Sequence, residues 1–327
     1  MIVTITPNPS IDRTLQLPAL RRGEVIRVSG VSSEAGGKGI NVARSLATMG
    51  VASVAIAPAS TATRARLDDL LGGSPPLRTV PIAGDIRVNL TLVEPDGTVT
   101  KVNEPGPSLD ATAAARLLED VVAAVLDILA ADGDATARPA TTGDVDRWVV
   151  CCGSLPPGLS DRFYAEVAAC VPGKVRVAVD ADRAALRAVA GSPIGLLKPN
   201  HAELEELVGR TLATFGDVAD AASDLVAGGA AGVLVSLGPD GALFVDRDGT
   251  SHAEASIDDL ANPVGAGDAL LAGFLAGGAK PSALATAVAW SVAACRAAGT
   301  RMPVVTPRDD AAVVVRPTVD RARRLRR

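Results

Sequence analysis

Aromatic residues are scarce. The 327-residue chain has four Phe, two Trp and one Tyr, which argues against a base-stacking surface for single-stranded nucleic acid. Histidine is scarcer. With only His201 and His252, histidine clusters for metal or triad chemistry are excluded. The four cysteines, Cys151, Cys152, Cys170 and Cys295, show no CxxC spacing. Cys151 and Cys152 lie in an apolar strand-like run, so buried reduced thiols are expected, as in a cytoplasmic protein. A basic excess is also missing. The net charge is −5 and the pI is near 5.2, so no global field recruits nucleic acid or anionic membrane. One basic block, Arg321, Arg323, Arg324, Arg326 and Arg327, reads as a solvated tail. No basic stretch and apolar core precede the first strand, and no apolar run reaches membrane-spanning length.

What the chain has in quantity is Ala, Val, Leu and Gly. This suits buried parallel strands between alanine-rich helices. Strand-like runs end at Thr6, Ala57, Cys152, Asp180, Leu197 and Leu237, with helical runs between them. That alternation, from Met1 to Ala298, predicts an α/β fold with a doubly wound, mostly parallel sheet. One interruption stands out. Ile86 to Val93, then Pro95-Asp96-Gly97, then Val99 to Asn103 reads as a hairpin. With shorter strands expected within Thr14 to Val31, it predicts a small β-sheet lid. An isolated two-stranded lid is marginal, so pairing with a second copy's lid, a homodimer, is expected. Residues 131 to 146 read as a loop.

Two glycine loops open into helices. The first, Asn262-Pro263-Val264-Gly265-Ala266-Gly267-Asp268, combines close backbone approach with a helix N-terminus and a carboxylate. An anion cradle beside a base suits phosphoryl transfer to a hydroxyl; a glycine turn capped by aspartate explains it too. The second, Gly36-Gly37-Lys38-Gly39-Ile40-Asn41, carries a lysine able to meet a phosphate as a point charge. It is not a Walker A loop, because Gly39 follows the lysine. Asp12 follows the first strand end, where α/β sheets bind ligands, although turn aspartates are common there. Strand alternation points Arg87 and Asn89 to one face. Asn200 and Glu203 share the first turn of a helix, either to organise magnesium-bound water and phosphates or as a simple cap.

These separated motifs occur in order with Asn8-Pro9-Ser10-Ile11-Asp12, Gly153-Ser154-Leu155-Pro156-Pro157-Gly158, Lys198-Pro199-Asn200-His201-Ala202-Glu203 and Ser236-Leu237-Gly238. Together they resemble the PfkB/ribokinase family of sugar kinases across roughly residues 1 to 310. The resemblance implies one kinase domain over 1–310, with lid strands from about 12–31 and 85–104, then a C-terminal segment 311–327. It implies Asp268 as general base and the amides of Gly265, Ala266 and Gly267 on the migrating phosphoryl. Asp12, Gly37 and Asn41 would bind sugar hydroxyls. Lys38 and Arg87 would clamp a phosphate already on the substrate, with Asn89 nearby. Asn200 and Glu203 would organise Mg–ATP, and Ser236, Gly238 and Gly241 would line the nucleotide site. Mg2+ would be held through Glu203 and water, without a direct protein ligand set.

The lysine loop, the Arg87-Val88-Asn89 hairpin and Asn103-Glu104-Pro105-Gly106-Pro107 resemble the phosphosugar branch. Phosphorylation of the 6-hydroxyl of fructose 1-phosphate is therefore expected, with tagatose 6-phosphate and fructose 6-phosphate as rival substrates. A catalytically silent phosphosugar sensor is the rival of another class. Several positions depart from the family pattern. Pro263 stiffens the entrance of the first loop, Thr91 stands where a lysine is often found, the loop at Pro58 to Thr63 lacks its usual glycines, and Asp180-Ala181-Asp182-Arg183 replaces the usual Asp-Thr-Ser-Gly-like run.

Overall fold

The structure is a computed structural model that describes residues 1–132, 147–297, 299–316 and 318–326. The expected loop over 131–146 therefore lies mostly outside the described residues.

Ten strands form one sheet. Seven are parallel, in the spatial order Gly232–Ser236, Leu196–Leu197, Arg176–Asp180, Trp148–Cys152, Ile2–Ile5, Ser53–Ala59 and Leu77–Pro81. Alternation within these strands feeds two apolar layers. Val3, Ile5, Val149 and Cys151 face one layer. Ile2, Trp148, Val150 and Cys152 face the other. The helices Lys38–Thr48, Ala266–Ala276 and Leu284–Arg296 cover the second face, and Ala111–Ala131 and Phe215–Ala227 help to cover the first. This is the expected doubly wound architecture. Cys151 and Cys152 are buried free thiols, whereas Cys170 is exposed.

Three antiparallel strands extend one edge: Ala242–Asp246, Gly249–Ala255 and Val313–Arg316. The last two are absent from the sequence reading. Gly249–Ala255 is polar and short of β-branched residues, and its pairing is supplied by neighbours on both sides rather than by its own alternation. Val313–Arg316 carries the main sheet beyond residue 310.

The second sheet has four strands, ordered Gly30–Gly36, Ser10–Gln16, Arg87–Val93 and Val99–Asn103. The hairpin forms as expected. The other two strands differ from expectation. Val25 to Val28 is not a strand; its place is taken by the more polar Gly30–Gly36. Pairing with Ser10–Gln16 offsets its poor pattern. Because Ser10–Gln16 also pairs in parallel with Arg87–Val93, Ser10 lies beside Arg87 and Asp12 beside Asn89. Equal phase on neighbouring strands puts all four side chains on one face.

The reading of a solvated basic tail is overturned. Phe215 N–H donates to the Arg323 carbonyl at 3.0 Å, Gly216 N–H to Arg321 at 2.9 Å, and Leu325 N–H to Ala213 at 3.1 Å. Val319 and Leu325 pack against the core. A charged sequence docks here because its cations meet carboxylates already inside the fold: Arg323 and Arg326 both reach Asp240, which is fully buried.

Candidate active site

Asp268 stands at the third position of the helix Ala266–Ala276, whose N-cap is Gly265. Gly265 has φ 85°, a left-handed conformation that glycine adopts without strain. No side chain among the described residues caps this helix, so its first-turn amides have no side-chain competitor for an anion. Ala266 N–H donates to the Pro263 carbonyl at 3.3 Å, which takes up one of the three expected phosphoryl donors and gives Pro263 a place in the turn.

Burial, then the negative charge of Asp180, lifts the Asp268 carboxyl to about 6; Lys38, Asn41 and Lys198 oppose the lift. A carboxylate poised near 6 is suited to accept a proton near neutrality. Asn41 donates from Nδ2 to Asp268 Oδ2 at 2.9 Å, and its Oδ1 accepts from Arg44 at 2.9 Å. Arg44 also donates to Thr300 Oγ1 at 3.0 Å, and Thr300 in turn donates to Glu34. Asn41, expected on sugar hydroxyls, is thus engaged with Asp268 and Arg44. Arg44, Thr300 and Glu34 escaped the sequence reading, because no local motif ties residue 300 to residues 34 and 44.

Asp180 ends the strand Arg176–Asp180 and is fully buried. Lys38 Nζ lies 2.8 Å from its Oδ1 and Lys198 Nζ 3.0 Å from its Oδ2. Burial favours the neutral acid, yet the two ammonium groups outweigh it and hold Asp180 below the usual carboxylate range. Lys38 also lies 3.7 Å from Glu203 Oε1. Burial alone would lower the Lys38 ammonium, but Asp180 and Glu203 raise it, so it stays charged. Lys38 is therefore held toward Asp180 and Glu203, while Arg87 reaches the Glu104 carbonyl in the lid at 3.4 Å. Among the described residues the two expected clamp residues share no hydrogen-bond or ion-pair partner. Lys198 and Asp180 were visible in the sequence as a strand-end pair, but nothing local showed that they meet.

On the lid, Asp12 Oδ1 accepts from Ser10 Oγ at 2.7 Å and from Asn89 Nδ2 at 2.9 Å. Gly36 makes room for this carboxylate, since a Cβ there would sit 2.3 Å from Asp12 Oδ2. Gly37, beside it, is the N-cap of the lysine helix. Arg87 Nε and Asn89 Oδ1 are buried with no hydrogen-bond partner among the described residues. Unmet buried donors and acceptors are ready to receive a polar ligand.

Asn200 and Glu203 form a reciprocal cap: Glu203 N–H donates to Asn200 Oδ1 at 2.8 Å, and Asn200 N–H to Glu203 Oε2 at 2.7 Å. The simple cap accounts for the amide and one carboxylate oxygen, and leaves Oε1 toward Lys38. Asn200 then borders a cleft of about 940 Å³, ample for a nucleotide. Ser236, Gly238, Gly241, Ala266 and Gly267 share its lining, so the expected nucleotide residues come together beside the Asp268 loop. Pro263 and Arg326 also line it; neither had an expected part there. Among the described residues, no group of three or more His, Cys, Asp or Glu side chains converges as a metal site.

Residues 5–308 match the model of the pfkB family of carbohydrate kinases. A 1-phosphofructokinase of Rhodobacter capsulatus is 37% identical over 279 residues, 84% of this chain and 82% of that one. An ATP-dependent 6-phosphofructokinase isozyme 2 of Mycobacterium tuberculosis is 34% identical over 84% of this chain and 77% of its own. In structure, phosphofructokinase-2 of Escherichia coli superposes with a TM-score of 0.80 at 32% identity, covering 95% of this chain and 96% of that chain. With the Gly265–Asp268 loop beside a nucleotide-sized cleft and a match over residues 5–308, the chain belongs to the pfkB family of carbohydrate kinases, phosphotransferases that act on a hydroxyl acceptor.

Proposed function

We propose that this kinase transfers the γ-phosphoryl of ATP to the 6-hydroxyl of fructose 1-phosphate, giving fructose 1,6-bisphosphate. The observation that carries the reading is the buried Asp268 carboxyl, lifted to about 6, at an uncapped helix N-terminus between the polar lid face and the nucleotide-sized cleft. The proteins named 1-phosphofructokinase, among them that of Haloferax volcanii at 34% identity over 93% of each chain, support the choice of sugar.

In this reading Asp268 takes the hydroxyl proton as the new P–O bond forms and the bond to ADP breaks. Asn41 keeps its carboxylate aimed. Asp12, with Ser10 and Asn89 behind it, holds sugar hydroxyls beside Gly37. Arg87, with an unmet Nε, binds the phosphate that stays. Lys38, drawn to Asp180 and Glu203, meets the charge that develops on the phosphoryl in flight, together with the amide of Gly267. Positioning and electrostatics supply the rate, as phosphoryl transfer requires. Glu203, Asn200 and water would hold Mg2+, an oxygen donor set suited to a hard cation, and the metal would neutralise charge on the β- and γ-phosphates. Ser236, Gly238 and Gly241 line the nucleotide's side.

The test is an ATP-coupled assay across fructose 1-phosphate, fructose 6-phosphate and tagatose 6-phosphate. The expected order places fructose 1-phosphate first in kcat/KM, with Arg87→Ala raising KM for the sugar phosphate and leaving KM for ATP in place. A higher kcat/KM for either 6-phosphate overturns the choice of hydroxyl. No turnover with any of the three would favour a silent sensor.

The lid carries exposed Val25, Val28, Val31, Val99 and Val102. Of these, Val31 and Val102 share one face of the four-stranded sheet with Leu15, Leu90 and Leu92; an apolar face of this kind is suited to a second copy, and a tetrameric inhibited form of Escherichia coli phosphofructokinase-2 has been solved. We assign a homodimer through the lid in the cytoplasm; no helix among the described residues is long and apolar enough to cross a membrane. Light scattering at micromolar protein should give twice the 33.0 kDa chain mass, and a monomeric mass would refute the pairing.

A further inference from the structure

The basic C-terminal segment is docked beneath the turn that lines the nucleotide cleft. That turn, Gly238–Asp240 followed by Gly241, contributes Gly238, Pro239 and Gly241 to the cleft. Its third residue, Asp240, points the other way and is fully buried. Three donors from the C-terminal segment meet the Asp240 carboxylate: Arg323 at 2.9 Å, Arg326 Nε at 2.9 Å and Arg326 N–H at 2.6 Å. His252 Nε2 lies 2.8 Å from the Asp240 carbonyl. Arg326 also donates to the Pro239 carbonyl. The turn is thus fixed from behind by residues more than 80 positions later in the chain.

Charge adds a second argument. Glu254 pairs with Arg316 at 3.0 Å and with Arg323 at 2.7 Å. This cluster holds three guanidinium groups, Arg316, Arg323 and Arg326, against two carboxylates, Asp240 and Glu254. One positive charge is left over. Arg326 is the guanidinium that borders the cleft, with its side chain 57% exposed. Its Nε and Nη2 are held by Asp240 and Pro239, with Glu254 4.0 Å from Nη2; a cation fixed in this way at the border of a cleft is preorganised for an anion.

We infer that the C-terminal segment is part of the nucleotide site: Arg323 positions the Gly238–Gly241 turn through Asp240, and Arg326 contacts the polyphosphate of the nucleotide. The inference rests on the cleft being the ATP site. It changes the meaning of the basic block, from a solvated tail to an anion-binding wall.

The experiment compares Arg326→Ala with the wild type in steady-state kinetics and in equilibrium binding of ATP and of adenosine. Losing one partly exposed charge-assisted contact is expected to raise KM for ATP roughly tenfold, to weaken ATP binding by a similar factor, and to leave adenosine binding and KM for the sugar phosphate unchanged. Arg326→Lys should recover part of the ATP affinity. Because Arg326→Ala also loosens a buried carboxylate, Asp240→Asn is added in the same chain. It should restore the melting temperature without restoring ATP affinity. Equal weakening of ATP and adenosine, or recovery of ATP affinity by Asp240→Asn, would show a purely structural role and overturn the contact. Unchanged KM for ATP in Arg326→Ala would overturn it as well. Failure of the wild type to bind ATP at all would instead overturn the assignment of the cleft.

Discussion

Asp268→Asn is expected to lower turnover by ~100- to 10,000-fold, the usual cost of losing a well-placed general base, and at the same time to make the protein more stable. The two effects have one cause. The native carboxyl is held at about 6 against a reference of 3.8, a gap equivalent to about 3 kcal/mol. The sign follows from proton linkage. Between pH 4 and 6 the native state binds more protons than the unfolded chain, so wild-type stability falls as pH rises through that window. Below about pH 4 both states hold a protonated Asp268 and the cost is absent. Above about pH 6 the native state carries an ionised, buried carboxylate near Asp180, and the cost is complete. The amide variant has no such charge. Urea unfolding at pH 7.5 should show it more stable by up to about 3 kcal/mol, with the difference shrinking toward pH 4. The wild-type rate should fall on the acid side with an apparent midpoint near 6, because only the ionised base accepts the proton. Near-native turnover in Asp268→Asn would remove the residue from the mechanism. Loss of stability in that variant would remove the account of why its pKa is raised.

The second large effect is expected at Asp180. Among the described residues it alone pairs with both Lys38 and Lys198, and it lies in the sheet with no solvent exposure. Asp180→Ala leaves two neighbouring ammonium groups with one main counter-charge removed. Breaking a buried pair in this way typically costs ~3–5 kcal/mol. The same change should move the acid limb of the pH–rate profile downward, since Asp180 is one of the groups that raise Asp268. Denaturant titration reads the first consequence and the pH profile the second. A variant as stable as the wild type would mean that Lys38 and Lys198 find other partners. An unmoved acid limb would mean that the two aspartates are not coupled.

Much of the site was legible because its parts are contiguous. Gly265 to Asp268 states an anion cradle and a base within four residues, and Gly36 to Asn41 sets glycine, cation and amide in one turn. The parallel core was legible for the same reason: Trp148–Cys152 is apolar at every position, Ile2–Ile5 at all but Thr4, and both are fully buried. What could not be read depends on pairs distant in sequence. Lys38 looked like a clamp for a resident phosphate, since nothing near it reveals Asp180. Asn41 looked free for sugar, since the chain does not show Arg44 turning back on it toward Thr300. Gly249–Ala255 is a strand only through its neighbours. The C-terminal arginines looked solvated because the carboxylate that fixes them, Asp240, sits in an ordinary turn motif and is buried only once the sheet has formed.

The bond from Asn41 to Asp268 joins residues 227 positions apart, and that from Lys38 to Asp180 spans 142. Each such contact requires the closure of a long loop, whose entropy is lost before the contact contributes anything. The catalytic centre is therefore among the last things the chain can assemble. Its first strand, its middle and its final third must all be in register before the base is aimed. Recovery of activity on refolding should accordingly lag the return of helical signal rather than accompany it.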